Sequence, residues 1–98
     1  MENNYVAGTD LSVKLSDITI SYNDVGEGVI PVIFIHGFPF DKSMWSSQLN
    51  TIGDERRAIS YDIRGFGKSE PGIQKFSIRL FADDLIEFMD AMQIQKAI

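Results

Sequence analysis

The sequence predicts an α/β fold in which a pair of antiparallel strands leads into parallel strands joined by crossover helices. Three observations carry this reading. Apolar runs rich in β-branched residues recur along the chain, first alternating and then continuous. Segments of helical periodicity separate the later runs, and strands that alternate with helices indicate a parallel sheet with right-handed crossovers. Glycine-rich turns close two of the apolar runs, at residues 36–39 and 62–69. In such sheets the ligand crevice forms at the carboxyl ends of the strands, so any active site is expected at these two turns.

Taken in order, residues 1–10 are polar and are expected to be a flexible N-terminus, with a single domain over 11–98. Residues 11–15 (LSVKL) and 18–22 (ITISY) each alternate apolar and polar, as half-buried strands do, and Ser16-Asp17 joins them as an antiparallel pair. Asp24 to Gly28 is a turn-rich break. Residues 29–35 (VIPVIFI) are continuously apolar, the pattern of a strand covered on both faces. Asp41 or Ser43 then caps a helix that carries Trp45, Leu49 and Ile52 on one face and ends at Gly53. Residues 57–61 read as a second buried strand. Ser77 opens the last helix, whose apolar stripe is Ile78, Phe81, Leu85, Phe88, Met89 and Met92. Asp83 and Asp84 point about 100° apart as helix neighbours and are expected on a solvated face. Lys96-Ala97-Ile98 opens a further strand.

Composition narrows the function classes. Nine basic and fourteen acidic residues give a net charge of −5 with no basic cluster, which argues against nucleic-acid binding. The absence of cysteine removes disulfides and thiolate sites, and no metal or cofactor is expected. The N-terminus lacks the basic and apolar regions of a signal peptide, and the longest apolar stretch is too short to span a bilayer. A soluble cytoplasmic protein with no membrane partner is the expectation.

The two turns carry the chemistry. In His36-Gly37-Phe38-Pro39, Gly37 permits a sharp turn with room beside a ligand, and Pro39 stiffens the loop. The Phe38 N–H is then free to face the crevice, where an amide stabilises an oxyanion developing on a carbonyl. The plain alternative is a tight strand-to-helix turn without chemistry. His36 is the only histidine. With no serine or aspartate placed to form a relay, it reads as structural, hydrogen-bonded within the turn. In the second turn Asp62 and Arg64 pair with each other or bond loop backbone, and Gly65 and Gly67 allow positive φ. The spacing lacks the third glycine of a nucleotide-binding fingerprint.

Together these residues resemble the α/β-hydrolase superfamily over roughly residues 18–98. The match consists of the apolar strand, His36-Gly37-Phe38-Pro39, the helix with Trp45, the turn from Tyr61 to Ser69, and the helix with Phe81-Ala82-Asp83-Asp84-Leu85. Esterases, lactonases, non-haem haloperoxidases and epoxide hydrolases are the most similar members. The resemblance implies the leading half of a hydrolase sheet, with the Phe38 N–H as first oxyanion donor. His36, Gly37, Pro39, Asp62, Arg64, Gly65 and Gly67 are implied to shape the loops. It also admits a cis Phe38–Pro39 bond, since X–Pro is the one place where cis is cheap.

The family's G-x-S-x-G elbow does not occur in this sequence. Nucleophile, acid and histidine all follow later in family order, so none of the triad is assigned here. The implied parent activity is cleavage of a small-molecule ester, lactone or similar bond by a Ser-His-Asp mechanism, or by an Asp nucleophile. The chain by itself is expected to be inactive. Its expected partners are a second copy, in a homodimer or larger oligomer, or a complementing C-terminal chain.

Overall fold

The structure is a computed structural model and describes residues 9–98. The expected flexible N-terminus falls mostly on residues 1–8, outside the described residues. Thr9 and Asp10 are engaged: the Asn23 side-chain amide donates to both.

Four strands form one sheet in the order β1-β2-β4-β3. β1 (Leu11–Lys14) and β2 (Thr19–Val25) are antiparallel, with Leu11 opposite Tyr22 and Lys14 opposite Thr19. The Leu15 N–H closes the turn between them on the Ile18 carbonyl at 2.8 Å. β2 runs on to Val25, and its second half pairs antiparallel with β4 (Ala58–Tyr61). β3 (Val32–Ile35) lies parallel to β4, with Val32 opposite Ala58 and Ile35 opposite Tyr61. At the far side of β3, Ile98 donates to the Pro31 carbonyl and accepts from the Ile33 N–H, both at 2.9 Å. β3 thus lies between β4 and the segment opening at Lys96.

Two helices make the crossovers. Asp41 accepts from the Ser43 N–H and caps a short 3-10 turn (Lys42–Trp45) that runs into α1 (Ser46–Gly53). Gly53 is required by close packing, because a Cβ there would lie 2.6 Å from Val25 Cγ2. Ser77 accepts from the Leu80 N–H at 3.0 Å and caps α2 (Ile78–Ala91).

Alternation along β4 separates two cores. Ala58 packs with Leu49 and Ile52 of α1, Val25 and Phe34. Ile59 and Tyr61 face the other way, joining Ile20, Ile18, Leu15 and Phe88 of α2. Phe88 is fully enclosed, edge-on to Tyr22 at 5.5 Å and stacked on Tyr61 at 5.1 Å. Such aromatic pairs add about 0.5–1.5 kcal/mol beyond the area they bury.

Four expectations are corrected here. The apolar run 29–35 is a strand only from Val32; Val29 is 90% exposed, and the first backbone bond to β4 is made by the Val32 N–H to the Arg57 carbonyl. Pro31 has no N–H to extend that ladder. Nor is β3 covered on both faces, since it stands beside the margin of the described sheet and Ile35 is 47% exposed. On α2, Ile78 points outward, whereas Asp84 is buried four residues before Phe88 on the inward face. Asp84 is not on a solvated face, because a buried arginine neutralises it.

Candidate active site

The turns 36–41 and 62–69 leave the carboxyl ends of the adjacent parallel strands β3 and β4, so they lie side by side. Buried polar groups bond them to one another. His36 Nε2 accepts the Ile63 N–H at 3.0 Å, which requires a lone pair on Nε2 and leaves the proton of the neutral ring on Nδ1. The Nδ1–H faces the Gly37 carbonyl at 3.3 Å, so His36 is bonded within its own turn, as expected, and to the second turn as well. Asp62, also buried, accepts from the Lys42 N–H at 2.7 Å, Lys42 Nζ at 3.1 Å and the Lys68 N–H at 2.9 Å. Ser69 Oγ donates to the Asp62 carbonyl and accepts the Ser21 N–H, tying the second turn down to β2.

Asp62 and Arg64 do not pair with each other. Arg64 is buried and makes two bidentate contacts, with Asp84 of α2 at 2.8 and 2.9 Å and with Asp17 of the β1–β2 turn at 2.8 and 3.0 Å. These bonds hold the Asp17 carboxyl down at about 2, with help from Gln74, and push the Arg64 pKa up. Asp10 is likewise held far below the usual carboxylate range by Lys68 first and Lys42 second. Burial pushes the Tyr61 phenol up to about 12.

Among the glycines, Gly65 and Gly67 have φ of 82° and 52°. A side chain at Gly67 would collide with the Asp62 carboxylate, and one at Gly65 with the Phe76 ring. Gly37 differs. Its φ is not left-handed, and a Cβ there would meet nothing within 4 Å. The first turn is closed instead by the Phe40 N–H on the Gly37 carbonyl at 2.7 Å, with a cis Phe38–Pro39 peptide, which makes it a type VI turn. Phe38 is 82% exposed, and its N–H has no acceptor among the described residues.

Lys42, Ser69, Asp17 and Asp84 belong to this framework and are not evident as such in the sequence. One signal was available: Asp84 sits at i−4 from Phe88 on the apolar stripe, where an acid needs a buried cation. A further acidic group, Asp17, Asp84 and Glu87, brings its oxygens within 4.8 Å of one another, but the first two are already bonded to Arg64. No helix of the described residues is long and apolar enough to cross a membrane.

Comparison with known proteins agrees with this architecture. The family model described as alpha/beta hydrolase fold matches residues 30–98. A non-heme chloroperoxidase of Kitasatospora aureofaciens is 37% identical over 79 residues, which are 80% of this chain and 28% of that protein. An epoxide hydrolase of Caballeronia sordidicola is 33% identical over 92 residues, 91% of this chain and 28% of the relative. Among solved structures, a bromoperoxidase from Bacillus anthracis superposes with a TM-score of 0.81 at 32% identity, over 91% of this chain and 33% of that one. A thermophilic esterase from Thermogutta terrifontis gives 0.76 at 31%, over 88% and 33%. The chain therefore spans a third or less of the length of these relatives. It belongs to the alpha/beta hydrolase fold family.

Proposed function

We propose that this chain is the N-terminal, oxyanion-binding part of a hydrolase that cleaves an ester, lactone or similar bond. The observation that carries the reading is the Phe38 N–H. It sits on a turn at the carboxyl end of β3, has no acceptor among the described residues, and is braced through His36 and Asp62. In the proposed mechanism a serine nucleophile, contributed by a segment outside this sequence, attacks the carbonyl carbon. Negative charge then gathers on the carbonyl oxygen, and the Phe38 N–H donates to it. Removing one such donor typically costs about 10²–10³ in turnover. His36 takes no proton in this scheme, because its Nε2 lone pair is engaged by the Ile63 N–H.

Two measurements test the proposal. The reading frame beyond Ile98 is expected to continue into G-x-S-x-G; a native stop codon would favour a non-catalytic module or one half of a split enzyme. The purified 98-residue chain is expected to hydrolyse p-nitrophenyl acetate no faster than background. Saturable turnover that survives His36→Ala would overturn the assignment of the nucleophile to a later segment. Turnover abolished by His36→Ala would make His36 the base.

A further inference from the structure

The surface around the Phe38 amide is aromatic, and among the described residues the lysines beside it are ion-paired. The Phe38 ring meets Phe66 edge-on with centroids 5.9 Å apart, and Phe66 in turn meets the His36 ring at 5.6 Å. Phe66 therefore stands between a buried anchor and an exposed ring, joining the two turns by contact where Asp62 joins them by hydrogen bonds. Ile35 and Phe40 extend the apolar surface. Both lysines of these turns have carboxylate partners. Lys42 Nζ is buried 3.1 Å from Asp62 and 3.1 Å from Asp10, whereas Lys68 is exposed and its Nζ pairs with Asp10 at the surface. The nearby Asp41 carboxylate adds negative charge, held in its ionised form by the Ser43 hydroxyl and N–H.

A carboxylate-bearing substrate approaching this wall meets two aromatic faces, an acidic side chain and no unpaired cation among the described residues of the two turns. Desolvating its charge there would be compensated only by drawing the exposed Lys68 away from Asp10. An apolar chain meets rings whose burial is favourable, at roughly 25 cal/mol per Å² of apolar surface. Because the amide and the ring belong to the same residue, whatever hangs from the carbonyl carbon lies within a side chain's length of Phe38.

Resting on the hydrolase reading above, we infer that Phe66 is a specificity-determining residue. It props the Phe38 ring against the acyl side of the site and selects a neutral ester or lactone with an apolar acyl chain.

The test uses the complete enzyme from the continuing reading frame, with p-nitrophenyl acetate, p-nitrophenyl hexanoate and mono-p-nitrophenyl succinate. The unmodified enzyme is expected to favour hexanoate over succinate in kcat/KM. Phe66→Ala is expected to lower the hexanoate-to-acetate ratio about tenfold, the scale on which apolar pockets discriminate chain length. Phe66→Leu is expected to restore most of it. A ratio unchanged in Phe66→Ala, even with overall activity reduced, would reduce Phe66 to a structural prop and overturn the inference. So would a preference for the succinate ester in the unmodified enzyme. Failure to hydrolyse any ester would instead bring down the hydrolase reading itself, and this inference with it.

Discussion

β3 and β4 are neighbouring parallel strands of four residues each, and their sequences invert their burial. β3 reads Val-Ile-Phe-Ile, wholly apolar, yet none of its residues is fully buried. β4 reads Ala-Ile-Ser-Tyr, and all four are buried. Sheet order makes the difference. β4 follows β3 in sequence but inserts between β2 and β3, so it has a strand on each side and a helix on each face. β3 has β4 on one side and only Ile98 bonded on the other. By the alternation of the ladder the Ile35 N–H points outward, with no acceptor among the described residues. Hydropathy thus records what a strand is suited to, while topology decides what covers it.

The largest test of this contrast is a pair of truncations. Ile59→Ala in β4 is expected to cost about 3–4 kcal/mol, within the range for a fully buried isoleucine. Ile35→Ala in β3 is expected to cost less than about 1 kcal/mol, since that side chain is already half in water. Urea unfolding of the two variants measures the difference, and equal losses would show that β3 is as well covered in solution as β4.

A smaller effect concerns association. An open apolar edge is a template for strand pairing, and a groove of about 420 Å³ between β3 and α1, lined by Val32, Phe34 and Ile52, adds to it. We expect the isolated chain to self-associate at micromolar concentration. Ile35→Lys is expected to weaken this about tenfold, by roughly 1.4 kcal/mol, because two-fold pairing doubles each added charge. Sedimentation velocity decides: a compact monomer at all concentrations would mean that the chain covers its own edge.

The smallest expected effect is acid sensitivity, and it sides with β4. The folded Asp17 carboxyl is depressed from its ordinary 3.8 to about 2 by Arg64, which lies in the turn that follows β4. The unfolded chain therefore takes up the proton first. The stabilisation is complete above about pH 4 and is lost as pH falls through about 2. The urea midpoint is expected to fall between pH 5 and pH 2.5, and Asp17→Asn should flatten that fall. An unchanged slope in the variant would assign the sensitivity to Asp10 or another carboxylate.

How much of this was legible beforehand follows from the range of each signal. Ser77 and Asp41 as caps, the α2 stripe centred on Phe88, and the glycine-rich turns are local patterns, and the sequence displays them directly. The inversion of β3 and β4 depends on strand order, which no window around residues 29–35 contains. Asp84 was misplaced because its cation, Arg64, lies twenty residues away in another turn. Nothing local to Lys42 marks it as buried, and only the fold brings the Asp62 carboxylate to it. At the site, the loop positions were readable, whereas Phe66 emerged only from its ring contacts.

The bracing of the two turns also bears on how such a protein changes over generations. The bonds that fix the loops come from buried groups, His36, Asp62 and Lys42, and from backbone N–H groups. The exposed positions 38 and 40 contribute rings but no framework hydrogen bond from their side chains. A substitution at those two positions alters what the loop displays without removing one of these bonds. One inherited frame can in this way be redecorated by single amino-acid replacements, each tolerated on its own, so that descendants diverge in chemistry without first having to relearn how to fold.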